Sequence, residues 1–267
     1  MKYFFGTYWL YIKTFFKARA EYRASFFLGM WANFYCYLIT YATYWVLISG
    51  LGNIGGWDFS DLSILYGLSL LTYAISGTLI WNTVYNLGGT VTNGGMDTYL
   101  VRPLGVLKQL MFQQFGDSFL GQILVTIIFL VSAIFKKVDH FTPLLCIYTI
   151  IIIISGVFIQ AAGMIIIGSI SFWTKRSEEI GDIFYYDIRS MTNYPLFIFP
   201  KWIQLGLTFV FPWAFINYYP SLIILNKTKN NFEIVLGLLS PVVGVLCLGL
   251  ALFIFKKGLN KYSGAGN

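Results

Sequence analysis

The sequence contains little charge. Asp, Glu, Lys and Arg make up only 11% of its 267 residues, whereas 57% of the residues are hydrophobic. Soluble domains carry about a quarter charged residues, so this composition excludes an ordinary soluble domain. It indicates an integral membrane protein, whose length is better counted in membrane spans than in soluble domains.

Residues that carry catalysis and metal binding are equally scarce. There is one histidine, His140, and the three cysteines, Cys36, Cys146 and Cys247, stand singly inside apolar runs without C-x-x-C spacing. Neither H-E-x-x-H nor the nucleotide-binding sequence G-x-x-x-x-G-K-[ST] occurs. We therefore expect no catalytic residue, no metal site and no nucleotide bound directly by this chain.

The sequence is instead rich in long uncharged apolar runs. A helix needs about 20 apolar residues to cross a bilayer, and runs of this length fit helices rather than barrel strands. The predicted fold is an all-α membrane protein, a single transmembrane domain over residues 1–267 with six transmembrane helices. The predicted spans are residues 25–48, 62–85, 118–135, 143–170, 177–199 and 233–255.

The basic residues predict the orientation. With six spans and both termini in the cytoplasm, fourteen of the eighteen Lys and Arg residues face the cytoplasm. The four that face outward are Lys136, Lys137, Lys227 and Lys229. This bias is typical of multi-pass membrane proteins, so the net charge of +7 reflects orientation in a lipid bilayer, and we expect no nucleic-acid partner.

Residues 1–23 precede the first span and mix aromatic with basic side chains. Lys13, Lys17 and Glu21 fall on one stripe of a helix. The pattern predicts an interfacial helix lying along the cytoplasmic leaflet. A plain anchoring flank is the alternative.

The fifth span has two interpretations. In the first, residues 177–199 cross the membrane and residues 195–225 form a re-entrant hairpin on the outer side, which is tolerated where protein buries the backbone. In the second, residues 202–225 are the fifth span, although prolines kink or break helices. The hairpin residues are Pro195, Pro200, Trp202, Pro212 and Pro220.

A polar turn separates the second and third predicted spans. Its sequence, GGMDTYLVRPL from Gly94 to Leu104, carries the first charges after a long uncharged run. Glycines permit a tight turn, and Pro103 ends the element. In so apolar a chain this stretch must lie in water or against a partner, and we predict a short helix on the cytoplasmic face.

Three features together resemble the membrane permeases of type-two ABC exporters. The turn has the form G-G-x-D-x-Y-L-x-R-P-L, and the blocks YPLFIFPKWIQ (194–204) and FPWAFINYYPSLIIL (211–225) are similar to the segment that leads into their re-entrant hairpin. The tail GLNKYSGAGN (258–267) is similar to the ending common in one bacterial subgroup. The resemblance covers essentially the whole chain.

The resemblance implies a permease without its own motor. In that family two permeases, identical or related, pair in the bilayer, and each meets a separate ATPase subunit that binds ATP and Mg. A coupling helix between spans two and three seats in the ATPase. The coupling residues carried onto this chain are Gly94, Gly95, Met96, Asp97, Tyr99, Leu100, Arg102 and Pro103. The alternative is a capped loop that merely reverses the chain.

The resemblance also favours the polar fifth span, whose ionisable residues should face the subunit interface or an aqueous path. The substrate-path residues would be Tyr185, Tyr186, Asp187 and Arg189, unless they lie at a wet membrane edge. The implied function is outward export of an amphipathic, drug-like, peptide or lipid-like substrate across the bacterial cell membrane, by alternating access at the permease dimer interface. A motor-independent secondary transporter or a membrane scaffold is the alternative.

Overall fold

The computed structural model describes residues 6, 13–14, 17, 23–137, 142–174, 185 and 187–262, and over these residues it is helical without strands. Most of the predicted interfacial helix, His140, Tyr186 and the start of the predicted span 177–199 lie outside the described residues. The α-helices are α1 Arg23–Leu51, α2 Phe59–Ser76, α3 Asn82–Tyr85, α4 Leu87–Thr92, α5 Asp97–Leu100, α6 Val106–Gln113, α7 Phe119–Lys137, α8 Pro143–Ser169, α9 Ile188–Ser190, α10 Lys201–Leu205, α11 Tyr218–Ile224 and α12 Asn231–Leu259. The π segments are Gly77–Trp81 and Gly206–Val210, and the 3-10 segments are Ile170–Phe172, Met191–Asn193, Leu196–Ile198 and Pro212–Phe215.

Four helical segments of the described chain are long and apolar enough to cross a membrane. They are Phe59–Thr92, Phe119–Lys137, Pro143–Phe172 and Asn231–Leu259. α1 is 29 residues long and contains the predicted span 25–48, but Asn33, two tryptophans and four tyrosines lower its hydropathy below theirs. A bent pair, Lys201–Val210 and Pro212–Ile224, adds a fifth segment. The described residues thus give four or five spans by length and composition, where the sequence predicts six.

α2 lies at the centre of the bundle. It packs against α7 and against α8, while α1 packs mainly on α7 and α12 on α8. Small residues allow the close contacts that are usual between membrane helices: Gly121 of α7 abuts the backbone of α1 at Met30, and Gly244 of α12 abuts Ser155 of α8. The central position of α2 leaves it mostly buried, whereas α12 exposes most of its surface.

One end of the bundle, here called the Asp61 end, is held by an ionic cluster. Asp58 caps α2 in a capping box with Asp61. Lys137, at the end of α7, lies 2.5 Å from Asp58 and 3.4 Å from Asp61. Lys227 lies 2.5 Å from Asp61. The two lysines belong to the group predicted to face outward, so the Asp61 end corresponds to the predicted outer face.

The opposite end, here called the Gly94 end, holds the polar turn. α4 lies against Ile170–Phe172, and the Phe172 ring lies 5.5 Å from the ring of Phe255 near the end of α12. The turn at Gly94 follows α4 directly. The structure therefore separates the turn from the lysine cluster by the length of the bundle.

The region that the sequence left ambiguous is irregular over its described part. Residues 188–199 form only short α and 3-10 segments, because Tyr194 is extended and Pro195 follows it. The next two segments, Lys201–Val210 and Pro212–Ile224, meet at an angle of 72°. Described residues 188–199 thus do not continue one regular spanning helix.

Both ends of the bent pair lie at the Asp61 end. Before the pair, the Phe197 ring lies 6.2 Å from the ring of Trp57. After it, Lys227 donates a hydrogen bond of 2.7 Å to the carbonyl of Gly56. The chain enters the bundle and returns at the same end.

Candidate functional site

The polar turn begins with a glycine in the left-handed backbone conformation. Gly94 has φ 71°, which a residue with a side chain rarely adopts. The Asp97 amide then donates to the Gly94 carbonyl, and α5 forms a single helical turn. Met96, just before α5, is fully buried and anchors the turn to the bundle core.

A buried glutamine on the following helix holds this turn in place. Gln109 of α6 donates from its Nε2 to the carbonyls of Tyr99 and Leu104, at 3.0 and 2.6 Å. The Tyr99 hydroxyl donates to the Oε1 of Gln113, also on α6. α5 and α6 therefore form one braced unit rather than a free loop.

The outward surface of the braced unit mixes charge with apolar side chains. Asp97, Arg102 and Pro103 are exposed, Leu100 is about half exposed, and Val101 is 83% exposed. Gly94, Gly95 and Tyr99 are only partly exposed. Of the predicted coupling residues, Met96 alone is unable to touch a partner. The sequence pattern missed Val101, which lies between two residues that it singled out.

The helical segment that precedes the turn is longer than a bilayer crossing requires. Phe59–Thr92 runs for 34 residues with no bend above 40°, or roughly 50 Å at 1.5 Å per residue. The hydrocarbon core of a bilayer is about 30 Å thick. If α2 enters the membrane at the Asp61 end, the Gly94 turn lies well beyond the opposite face.

A second candidate site lies inside the bundle, around Arg189. This side chain is only 8% exposed, and its guanidinium carbon lies 4.1 Å from the centre of the Tyr73 ring. A cation over a desolvated aromatic face gains about 2 kcal/mol. No carboxylate among the described residues forms an ion pair with Arg189. A buried charge without a counter-charge costs several kcal/mol.

Tyr185, four residues before Arg189 in the sequence, extends the site to α8. Its hydroxyl donates a hydrogen bond of 2.6 Å to the Oε1 of Gln160. Three aromatic rings surround the Tyr185 ring at about 6 Å: those of Tyr73, Trp81 and Trp213. Trp81 belongs to the π segment Gly77–Trp81, which lies between α2 and α3. Such segments are frequent at functional sites.

Some buried hydrogen-bond donors of this site have no acceptor among the described residues. Within the described chain, the Nε and Nη1 groups of Arg189 and the Nε2 group of Gln160 are buried without a hydrogen-bond acceptor. Buried polar groups are normally paired. The site therefore has surplus donors inside the bundle.

The structure separates the predicted substrate-path residues. Tyr185 and Arg189 are buried in the aromatic site, Asp187 is exposed, and Tyr186 lies outside the described residues. Sequence reasoning missed Tyr73, Trp81, Gln160 and Trp213. Gln160 carries the clearest available signal, because it is a lone amide inside the long apolar run of α8.

The predicted hairpin residues differ in their exposure. Trp202 is 73% exposed, whereas Pro195 and Pro220 are buried. Pro200 is exposed and Pro212 starts the second half of the bent pair. Asn217 donates from its side chain to the carbonyls of Leu65 in α2 and Thr192, so protein buries this backbone.

A family model described as ABC-2 family transporter protein matches residues 34–266. No curated protein and no solved structure matches the chain significantly. The matched range includes the braced turn, the Arg189 site and the bent pair. ABC-2 permeases are membrane subunits distinct from the ATPase, and they generally dimerise and work with a separate ATPase. This multi-pass membrane protein belongs to the ABC-2 transporter family.

Proposed function

We propose that the chain is the permease subunit of an ATP-driven exporter and that α5 with its flanks is the coupling element. The observation that carries this proposal is the braced turn at the Gly94 end. A rigid contact can transmit the movement of a partner to the membrane helices. The hydrogen bonds from Gln109 fix this turn rigidly to α6. α6 in turn lies against the π segment Gly77–Trp81, next to the aromatic site.

The exposed side chains of the turn suit a protein partner. Leu100 and Val101 supply apolar contact, and Asp97 and Arg102 on either side of them supply charges of both signs. Charged groups around an apolar centre give an interface its specificity. The partner is a separate ATPase, which holds the ATP and Mg that this chain is not expected to bind.

The membrane part of the mechanism is alternating access between two permeases, identical or related. α1 exposes a broad apolar surface that includes Leu28, Trp31, Tyr35 and Ile39. Asp187 and Tyr194 are also exposed, on the segment that contains Arg189. We place the second permease against α1 and this segment, with both chain termini cytoplasmic. The bent pair 201–224 then forms a re-entrant hairpin on the outer side.

Co-purification with the ATPase subunits of the host tests this proposal. The variant Asp97→Ala/Arg102→Ala should lose the ATPase while keeping its elution profile in detergent. Lys229→Ala/Glu233→Ala is the matched control, since it also removes one base and one acid, but at the Asp61 end. If no ATPase associates with the unaltered chain, the motor is absent, and a secondary transporter or a scaffold becomes the better interpretation.

A further inference from the structure

We propose that Arg189 recognises the anionic group of an amphipathic substrate. This inference rests on the proposed transport function and adds the chemical class of the substrate. The ligand is a molecule that combines a carboxylate, phosphate or sulfonate with an apolar or aromatic body. Arg189, Gln160 and the aromatic rings around Tyr185 form the binding site.

Arg189 is a buried cation without a counter-charge among the described residues. The side chain is more than nine-tenths buried, and the carboxylates of the described residues leave it without an ion pair. Asp187, two residues away, is exposed. Ionisable groups at such depth are expensive and mark substrate pathways in membrane proteins. A bound anion would supply the missing counter-charge.

The buried polar groups of this site that lack a hydrogen-bond partner are donors. The unpartnered atoms of Arg189 and Gln160 named above are all N–H donors. A guanidinium presents its donors as a planar fork that matches carboxylate and phosphate oxygens. A cationic ligand would add donors and leave the surplus unchanged. The site is therefore selective for acceptors that carry negative charge.

Aromatic rings line the site around Arg189 and Tyr185. Tyr73 contacts both Arg189 and Tyr185. The centre of its ring lies 4.1 Å from the guanidinium carbon of Arg189 and 6.0 Å from the centre of the Tyr185 ring. The rings of Trp81 and Trp213 lie 6.3 and 6.0 Å from the Tyr185 ring, and the Trp81 ring also lies 6.5 Å from that of Tyr73. The rings are tilted or edge-on to one another, and together they make the surroundings of Arg189 apolar. The body of the substrate would lie along them with its anionic end at Arg189.

Equilibrium dialysis on the full chain in nanodiscs of zwitterionic lipid tests the inference. The probes are 1-naphthyl phosphate and 1-naphthylmethylammonium, which share one aromatic body and differ in charge. We expect saturable binding of the phosphate and none of the ammonium ion. Arg189→Gln should weaken phosphate binding by about tenfold or more, as expected for lost charge-assisted hydrogen bonds. Lys201→Gln, which removes an exposed cation, should leave it unchanged.

Arg189→Lys keeps the charge but removes the fork, so its affinity should lie between those of the unaltered chain and Arg189→Gln. If Arg189→Gln does not fold, the affinity of Arg189→Lys for the phosphate probe tests the inference instead. Equal phosphate binding by Arg189→Lys and the unaltered chain, or equal binding of the two probes, would overturn the inference. Loss of ATPase association alone overturns the transport mechanism but leaves anion binding intact, so the two failures are distinguishable.

Discussion

The side-chain amide of Gln109 donates a 2.6 Å hydrogen bond to the backbone carbonyl of Leu104, and the same nitrogen reaches Tyr99. Gln109 is fully buried. A single amide on α6 thus fixes both ends of the exposed surface that we assign to the ATPase. Gln109 therefore braces the proposed coupling element from outside the turn, while the buried Met96 anchors it from within.

Gln109→Leu should loosen the turn. The substitution leaves two carbonyls without a buried donor, which destabilises the local fold by about 1–3 kcal/mol. We expect faster hydrogen exchange over residues 95–105 and weaker ATPase association. Gln113→Leu, which removes one exposed hydrogen bond to Tyr99, is the graded control and should have a smaller effect. Unchanged exchange in Gln109→Leu would contradict the bracing role.

Lys227→Met should destabilise the Asp61 end. Lys227 forms an ion pair with the buried carboxylate of Asp61 and also donates to the Gly56 carbonyl. Removing one partner of a buried ion pair costs about 3–5 kcal/mol, and the remaining Lys137 at 3.4 Å from Asp61 should reduce this loss. The measurement is the thermal unfolding temperature in detergent.

Lys229→Met is the control for this variant, because Lys229 is exposed and should change stability by less than about 0.5 kcal/mol. Asp61→Asn combined with Lys227→Met should lose less than the sum of the two single effects. Additive losses would show that the two residues act independently.

Asp58 should make the Asp61 end sensitive to acid. Burial works to raise the pKa of Asp58, but hydrogen bonds from Lys137 and from the Asp61 backbone outweigh it and lower the pKa below its usual 3.8. A lowered folded-state pKa contributes stability that is fully present above about pH 4 and is lost as the pH falls below that value. The effect is small because the side chain is about half exposed.

Unfolding temperatures measured from pH 6 to pH 3 test this prediction. The unaltered chain should be more stable than Asp58→Asn at pH 6, and the difference should shrink towards pH 3. Comparing the two chains removes the contribution of the other carboxylates. A difference that stays constant with pH would exclude Asp58 as the titrating group.

The all-helical class of the fold and the position of a polar turn can be predicted from the sequence, because both depend on local patterns. Glycines, a charge pair and a proline mark Gly94–Leu104, and long apolar runs mark α7, α8 and α12. Whether a single side chain points into the core or outward depends on tertiary packing, which the local sequence pattern does not determine. Met96 is buried against the core while Val101 protrudes, and no local rule distinguishes two apolar residues five positions apart in a turn.

The fold of the region after Tyr185 is harder to predict from the sequence, for a different reason. Hydropathy counts each polar side chain as a penalty, whereas the fold provides distant partners for some of them. Asn217, for example, bonds to the carbonyls of Leu65 and Thr192, which lie 152 and 25 residues away. Such compensation is invisible in a window of sequence. The sequence therefore left two interpretations of the fifth span, residues 177–199 or residues 202–225.

Gly121→Ala should separate α1 from α7. A Cβ at Gly121 would lie 2.0 Å from the carbonyl oxygen of Met30, so one backbone must move. Overpacking of this kind costs about 1–3 kcal/mol. Gly249→Ala in α12 is the matched control, since nothing lies within 4 Å of its Cβ position. Equal unfolding temperatures for the two variants would contradict the close helix contact.

Lys201→Cys should report the re-entrant hairpin. In a chain freed of its native cysteines, an impermeant thiol reagent should label this position from outside the cell, because Lys201 is exposed and starts the bent pair close after Phe197 at the Asp61 end. Lys256→Cys near the end of α12 is the control and should react only from the cytoplasmic side. If Lys201→Cys also reacts only from the cytoplasm, residues 202–225 cross the membrane as the fifth span.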